Sequence, residues 1–171
     1  MRQSTILLAS LALAAACAST PALFPSLQQA KVQAHTLQGT HDFSVWIAAD
    51  DKSRERGLMF VRELPPDRGM LFLFEFPQEV AFWMKDTVLS LDLIFVDPAG
   101  KVLNVAANAR PYSLDPIESQ GRAIAVLEVV AGTARKIGLK PGDAISLPSL
   151  QTTGTVGSAP VKGHLANSTP H

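Results

Sequence analysis

The sequence predicts a mainly β (α+β) domain: a compact small barrel or sandwich of six or seven short strands with two short helices. Three observations carry this expectation. Short apolar runs rich in β-branched and aromatic residues recur along the chain, as in Leu91–Val96 and Ala123–Val130. Turn signals containing Gly and Pro separate them, and only two short stretches carry helix-capping residues.

The elements follow in order. Residues 43–48 form the first expected strand, after which Asp50 and Asp51 offer N-cap oxygens to a short helix through Met59. Gly57 within that helix costs up to ~1 kcal/mol relative to Ala, so its presence implies that another part of the backbone comes close. Residues 70–74 are continuously apolar between Gly69 and Pro77, the pattern of a strand buried on both faces. Residues 80–84, 91–96 and 101–107 follow as strands, the last two paired as a hairpin around Asp97-Pro98-Ala99-Gly100. Residues 123–130 make another strand, and Thr133 caps a helix of one or two turns that Gly138 ends. Lys140-Pro141-Gly142-Asp143 has the composition of a type II turn and leads into a last strand at residues 144–147.

The ends have a different character. Residues 1–20 carry a basic residue at Arg2, an apolar run from Ile6 to Ala16 and small residues after it, the arrangement of a secretory signal peptide. The run is well short of the ~20 residues a membrane-spanning helix needs. Cys17 is the single cysteine. It stands where a bacterial lipoprotein signal places its acylated residue, although Ala14 occupies the position usual for leucine. Two routes are thus open: lipid attachment at Cys17, or ordinary cleavage after Ala16 or Ala18 with the thiol incidental. Residues 21–39 read as a spacer, 40–148 as a single β-rich domain, and 149–171, rich in Ser, Thr, Gly and Pro, as a disordered tail. A periplasmic or otherwise extracytoplasmic location follows, with the membrane involved only through an N-terminal lipid.

The 15 basic and 15 acidic residues balance to a formal net charge of zero, and no block of like charge appears. Nucleic-acid binding is therefore not expected. No Gly-x-Ser-x-Gly elbow, phosphate-binding glycine loop or His-Glu-x-x-His pair is present, and no cofactor is expected.

A few polar residues stand out. Asp92 and Glu128 are carboxylates inside otherwise apolar runs, and burying an unpaired charge is costly. By alternation, Asp92 shares a face with Ile94 and Val96, and Glu128 with Val126 and Val130. Arg54 and Arg56 are the expected partners, since a guanidinium meets a carboxylate with two parallel hydrogen bonds. Together with Asp143 these four are read as structural polar residues. A second reading makes Asp92 and Glu128 an acid and base pair in a hydrolase, with Arg56 orienting substrate. Trp83 alternates with Phe82 and Met84, so it is either a core residue or an exposed stacking platform beside Lys85 and Asp86. Met59, Met70, Met84, Trp83 and His41 raise the further option of a soft-metal site for Cu(I). Against it, methionines commonly fill gaps in a core, and no two histidines stand at ligand spacing.

The segments Arg54-Glu55-Arg56-Gly57-Leu58-Met59, Gly69-Met70-Leu71-Phe72-Leu73-Phe74 and Phe82-Trp83-Met84-Lys85-Asp86-Thr87 resemble the prokaryotic "domain of unknown function 192" family. So do Leu91-Asp92, Val126-Leu127-Glu128 and Gly142-Asp143, and the resemblance spans roughly residues 40–148. It implies a small, mostly β, often exported domain with no established reaction. This chain has Asp86 where the family pattern has Asn, and Ser90 where it has Pro.

These readings converge on an exported binding or interaction module of the bacterial cell envelope. Its ligand patch would comprise Trp83, Lys85, Asp86, Arg110 and Tyr112, and its partner would be a small ligand or an envelope protein met by a monomer. The competing class is a hydrolase acting on an envelope carbohydrate or peptide.

Overall fold

The computed structural model describes residues 23–148. The expected leader with Cys17 and the expected tail from residue 149 lie outside the described residues. Nine strands and two short helices follow in the order β1 (Gln29–Thr36), β2 (Gly39–Ala48), α1 (Asp51–Arg56), β3 (Arg68–Gln78), β4 (Ala81–Phe82), β5 (Leu91–Val96), β6 (Val102–Ala109), β7 (Ile117–Glu118), β8 (Ala123–Val130), α2 (Thr133–Lys136) and β9 (Ala144–Ser146).

Seven strands form one sheet in the order β6-β5-β8-β3-β2-β1-β9, and β4 pairs with β7 in a separate two-stranded ribbon. Within the large sheet only β2 and β3 run parallel. Parallel neighbours need a crossover, and α1 lies in this one. The two ends of the strand order also approach one another. Lys101 bridges to Ala144, and the Ile145 amide donates to the Gly100 carbonyl at 2.7 Å. This contact curls the sheet into a half-barrel.

Both faces are covered, which explains why β5 is buried along its whole length. One apolar cluster draws residues from all seven strands, including Val32, Val45, Leu71, Ile94, Val102, Leu127 and Ile145, and is the interior of the curl. Ala134 and Ile137 of the α2 segment and Leu139 close one side of it. The second cluster lies on the outer face. There Met70, Phe72, Leu93, Phe95 and Val126 are covered by Leu58, Met84 and the partly buried Phe82. Phe82 sits edge-on to Phe72 at 4.9 Å and to Phe95 at 6.0 Å.

Several boundaries differ from the sequence reading, each for a local reason. The ordered sheet begins before residue 40: residues 29–36, expected in the spacer, form β1, held by β2 on one side and β9 on the other. Only Val32 and Ala34 of β1 are buried, which leaves too little apolar signal to read. The expected strand at 80–84 shrinks to Ala81–Phe82, because the chain then turns through Asp86. Helix α1 stops at Arg56 and does not continue through Met59. Gly57 is its C-cap at φ 47, a left-handed value that favours glycine, and a Cβ there would meet the Phe72 ring at 3.2 Å. The close approach is thus to a side chain, not to another backbone. At the other end Asp50 is the N-cap, its carboxylate accepting the Ser53 amide at 3.0 Å. That amide bond, followed by the Ser53 hydroxyl, holds the Asp50 carboxyl below its usual value. In α2 the cap position belongs to Gly132, while Thr133 turns its hydroxyl back onto the Val130 carbonyl at 2.6 Å.

Candidate functional site

Strand β8 runs between β3 and β5, and Glu128 lies opposite Met70 on one side and Leu93 on the other. Its side chain therefore belongs to the outer face. It is 4% exposed, and burial alone pushes its carboxyl up to about 8. At neutral pH it is a neutral acid with a proton to donate. It forms part of the wall of a cavity of about 360 Å³ that also includes Arg54, Arg56, Met59, Phe72, Phe82, Trp83 and Thr87.

Three loops meet beside this cavity, and backbone hydrogen bonds stitch them together. The Phe60 amide donates to the Asp86 carbonyl at 2.9 Å, the Tyr112 amide to the Thr87 carbonyl at 3.2 Å, and the Met84 amide to the Ser113 carbonyl at 2.9 Å. Each loop carries a non-glycine residue at positive φ: Phe60 at 64°, Asp86 at 52° and Tyr112 at 61°. Aspartate tolerates this region, but for bulky aromatics it is strained, and such strain concentrates at functional sites. The φ of Asp86 also accounts for its position in the sequence. Asn and Asp are the side chains that enter this backbone region most readily, so the exchange of one for the other preserves the turn. On these loops Phe60, Trp83 and Tyr112 are 64%, 52% and 60% exposed, and of the three only Trp83 lines the cavity. Lys85 places its ammonium 5.6 Å from the Trp83 ring centroid.

The predicted patch is thus brought together in part: Trp83, Lys85 and Asp86 lie on one loop, Arg110 and Tyr112 on the loop bonded to it. Of the two readings of Trp83, the exposed one holds, with Met84 turned into the core.

The carboxylate readings need correction. Asp92 is fully buried, but on the face opposite Glu128, and no arginine meets it. Its two oxygens accept the Asn108 amide at 2.8 Å and the Ala134 amide at 2.9 Å, so backbone donors satisfy the charge. Arg54 bonds the Leu73 carbonyl at 2.9 Å, the Ala49 carbonyl, and Asp51 at 2.6 Å. Arg56 lies over the Phe24 ring at 5.5 Å. The acid and base pair fails for the same geometric reason: Asp92 and Glu128 cannot open to one cleft from opposite faces of a sheet. Asp143 is structural, its carboxylate accepting the Lys140 amide at 3.0 Å within the expected turn.

The Cu(I) ligand set also does not converge. Met70 and Met84 are sealed in the outer-face cluster, whereas His41 shares the strand face of Phe43 and Val45, which belong to the interior. Among the described residues no group of three His, Cys, Asp or Glu is placed to hold a metal.

The turn at Phe60 and the lining position of Thr87 were not legible in the sequence. A phenylalanine at positive φ leaves no mark in a sequence, and Thr87 reads as ordinary polar surface, though it is buried.

A family model, DUF192, described as an uncharacterized ACR, matches residues 33–147. A crystal structure of a protein of unknown function from Novosphingobium aromaticivorans is 40% identical, with a TM-score of 0.71, covering 76% of this chain and 94% of its own. A second, from Sinorhizobium meliloti and described as a candidate transcription regulator, is also 40% identical, with a TM-score of 0.69, covering 71% of this chain and 95% of its own. Among curated proteins there is no match.

Proposed function

The chain belongs to the DUF192 family, and from that premise we propose that it is a binding module of the bacterial cell envelope, its ligand held at the aromatic-rimmed cavity over Glu128. The observation that carries this reading is the Glu128 carboxyl. It is buried, neutral, and part of a cavity wall, where burial is the only influence on its titration. A polar group in an otherwise largely apolar wall is where a ligand can find its hydrogen-bond partner. The half-exposed Trp83 ring in the cavity wall suits a flat or ring-shaped ligand, such as a saccharide or the side chain of an envelope peptide. In this reading Glu128 donates to a ligand oxygen, and the Trp83 ring stacks on the ligand's apolar face.

The hydrolase alternative loses its second carboxylate when Asp92 is committed to two backbone amides. A lone neutral acid serves binding with no further group. Location outside the cytoplasm, with Cys17 as a lipid attachment point, belongs to the same proposal.

The test is a thermal-shift and calorimetric screen of the protein against peptidoglycan fragments, envelope saccharides and amino acids, repeated on Trp83→Ala and Glu128→Leu. A compound that stabilises the wild type but neither variant supports the reading. Equal stabilisation of all three proteins would sink it.

A further inference from the structure

A second and larger cavity, about 920 Å³, opens on the same face around Trp46. Arg56 and Met59 border both cavities, but Glu128, Trp83 and Thr87 do not reach this one. Trp46 comes from β2, where alternation sends it and Ala48 to the outer face, and it is only 2% exposed. Its indole Nε1–H is buried and has no acceptor among the described residues. Buried indole N–H groups usually find a partner, so this one is a donor held in reserve.

The groups around it are donors too. Phe24 stands edge-on to Trp46 at 5.2 Å, and a guanidinium flanks each ring: Arg56 at 5.5 Å from Phe24, Arg68 at 5.1 Å from Trp46. Arg68 is further steadied by a 3.2 Å bond to the Gln29 side chain. Arg62 also lines the cavity, and Glu63 is its one acidic residue. In a chain whose formal charge is zero, three arginines and an unpaired indole donor thus surround one hollow. The remaining wall is apolar, including Met59 and Leu64.

We propose that this cavity binds a small organic carboxylate, the anion received by the Trp46 indole N–H and the Arg68 guanidinium and the apolar body lying against Phe24 and Leu64. A guanidinium matches a planar carboxylate with two parallel hydrogen bonds, and the buried Trp46 indole N–H, without an acceptor among the described residues, is a third donor in the wall. The apolar wall distinguishes an organic acid from inorganic phosphate, which would leave that wall bare. The site is independent of the ligand assigned to Glu128.

The test is a titration of the full ¹⁵N-labelled chain with 4-phenylbutyrate, followed through the Trp46 indole N–H resonance. The Trp83→Phe variant identifies which of the two indole signals belongs to Trp46. The expected result is a saturable shift of that signal, with affinity at least tenfold weaker in Arg68→Gln. The neutral 4-phenylbutyramide and inorganic phosphate should leave the signal in place. An unmoved signal at about 10 mM carboxylate, a weak-binding limit near 3 kcal/mol, overturns the site. An equal response to the amide overturns the anion, and an equal response to phosphate overturns the organic acid. Arg68 is half-buried at the first position of β3, so an unchanged melting temperature of its Gln variant checks that the fold is kept, and unchanged affinity in it also overturns the proposal.

Discussion

Asp92 and Glu128 stand one register step apart on neighbouring strands and point to opposite faces of the sheet: Glu128 lies opposite Leu93, whereas Asp92 lies opposite Val129. The two carboxyls share the cost of burial but solve it differently, and their substitutions should behave oppositely.

Glu128→Gln should stabilise the protein. The native carboxyl titrates at about 8 against an ordinary 4.5. Between those values the unfolded chain releases the proton while the folded one keeps it. Wild-type stability should therefore fall as pH rises from about 4.5 to about 8, and level off above, by a total on the order of 5 kcal/mol. Melting temperatures across that range should slope downward for wild type and show that slope largely removed in the variant. Parallel curves would show that Glu128 is not the titrating group.

Asp92→Asn should destabilise at every pH near neutrality. An amide can offer its oxygen to only one of the two backbone donors, and its own N–H₂ group confronts the other. The expected loss is about 2–3 kcal/mol, a melting temperature lower by roughly 10 °C. Ligand binding by the protein that remains folded should be unchanged.

Trp83→Ala should separate binding from stability. With half of its surface in solvent, truncation should cost less than about 1 kcal/mol, so a large drop in melting temperature would mean that the ring has a packing role. Ligand affinity should fall sharply in the same protein, as measured by calorimetry.

Gly69→Ala should be far worse than Gly57→Ala. A Cβ on Gly69 would run into the Glu128 carbonyl on the neighbouring strand, where backbone cannot yield without breaking the β3–β8 pairing. On Gly57 it meets only the edge of the Phe72 ring, and the penalty is chiefly a backbone at φ 47 and ψ −139 that side chains with a Cβ rarely adopt, about 1–3 kcal/mol. Circular dichroism melts of the two variants would rank them directly.

Cys17→Ser should move the protein from the membrane pellet to the soluble extracytoplasmic fraction. An unchanged distribution would remove the lipid anchor from the proposal.

How much of this was legible in the sequence depends on the kind of information needed. Strands β5 and β8 have the bounds their apolar runs imply, because strands covered on both faces need little else to define them. The face of each carboxylate was legible as well, since alternation within a strand fixes it. Their mutual position was not, because register between β5 and β8 is set by residues far apart in the chain. The partners of Asp92 were misread for a related reason: every residue carries a backbone amide, so no side chain advertises the donors at Asn108 and Ala134. Strand β1 went unseen because its exposed side is Gln, Lys and His, and its buried side is small.

The seam between the first and last strands constrains the order in which the molecule can be made. Strand β9 pairs with β1, and Ala144 bridges to Lys101, so the half-barrel cannot close until the chain has been synthesised through Ser146. A nascent chain lacking that stretch keeps one edge of β1 open, with its backbone donors and acceptors available to another strand. Synthesis of β9 is then the event that commits the protein to a closed form. Any truncation before residue 144 should yield a product that sticks to its own kind.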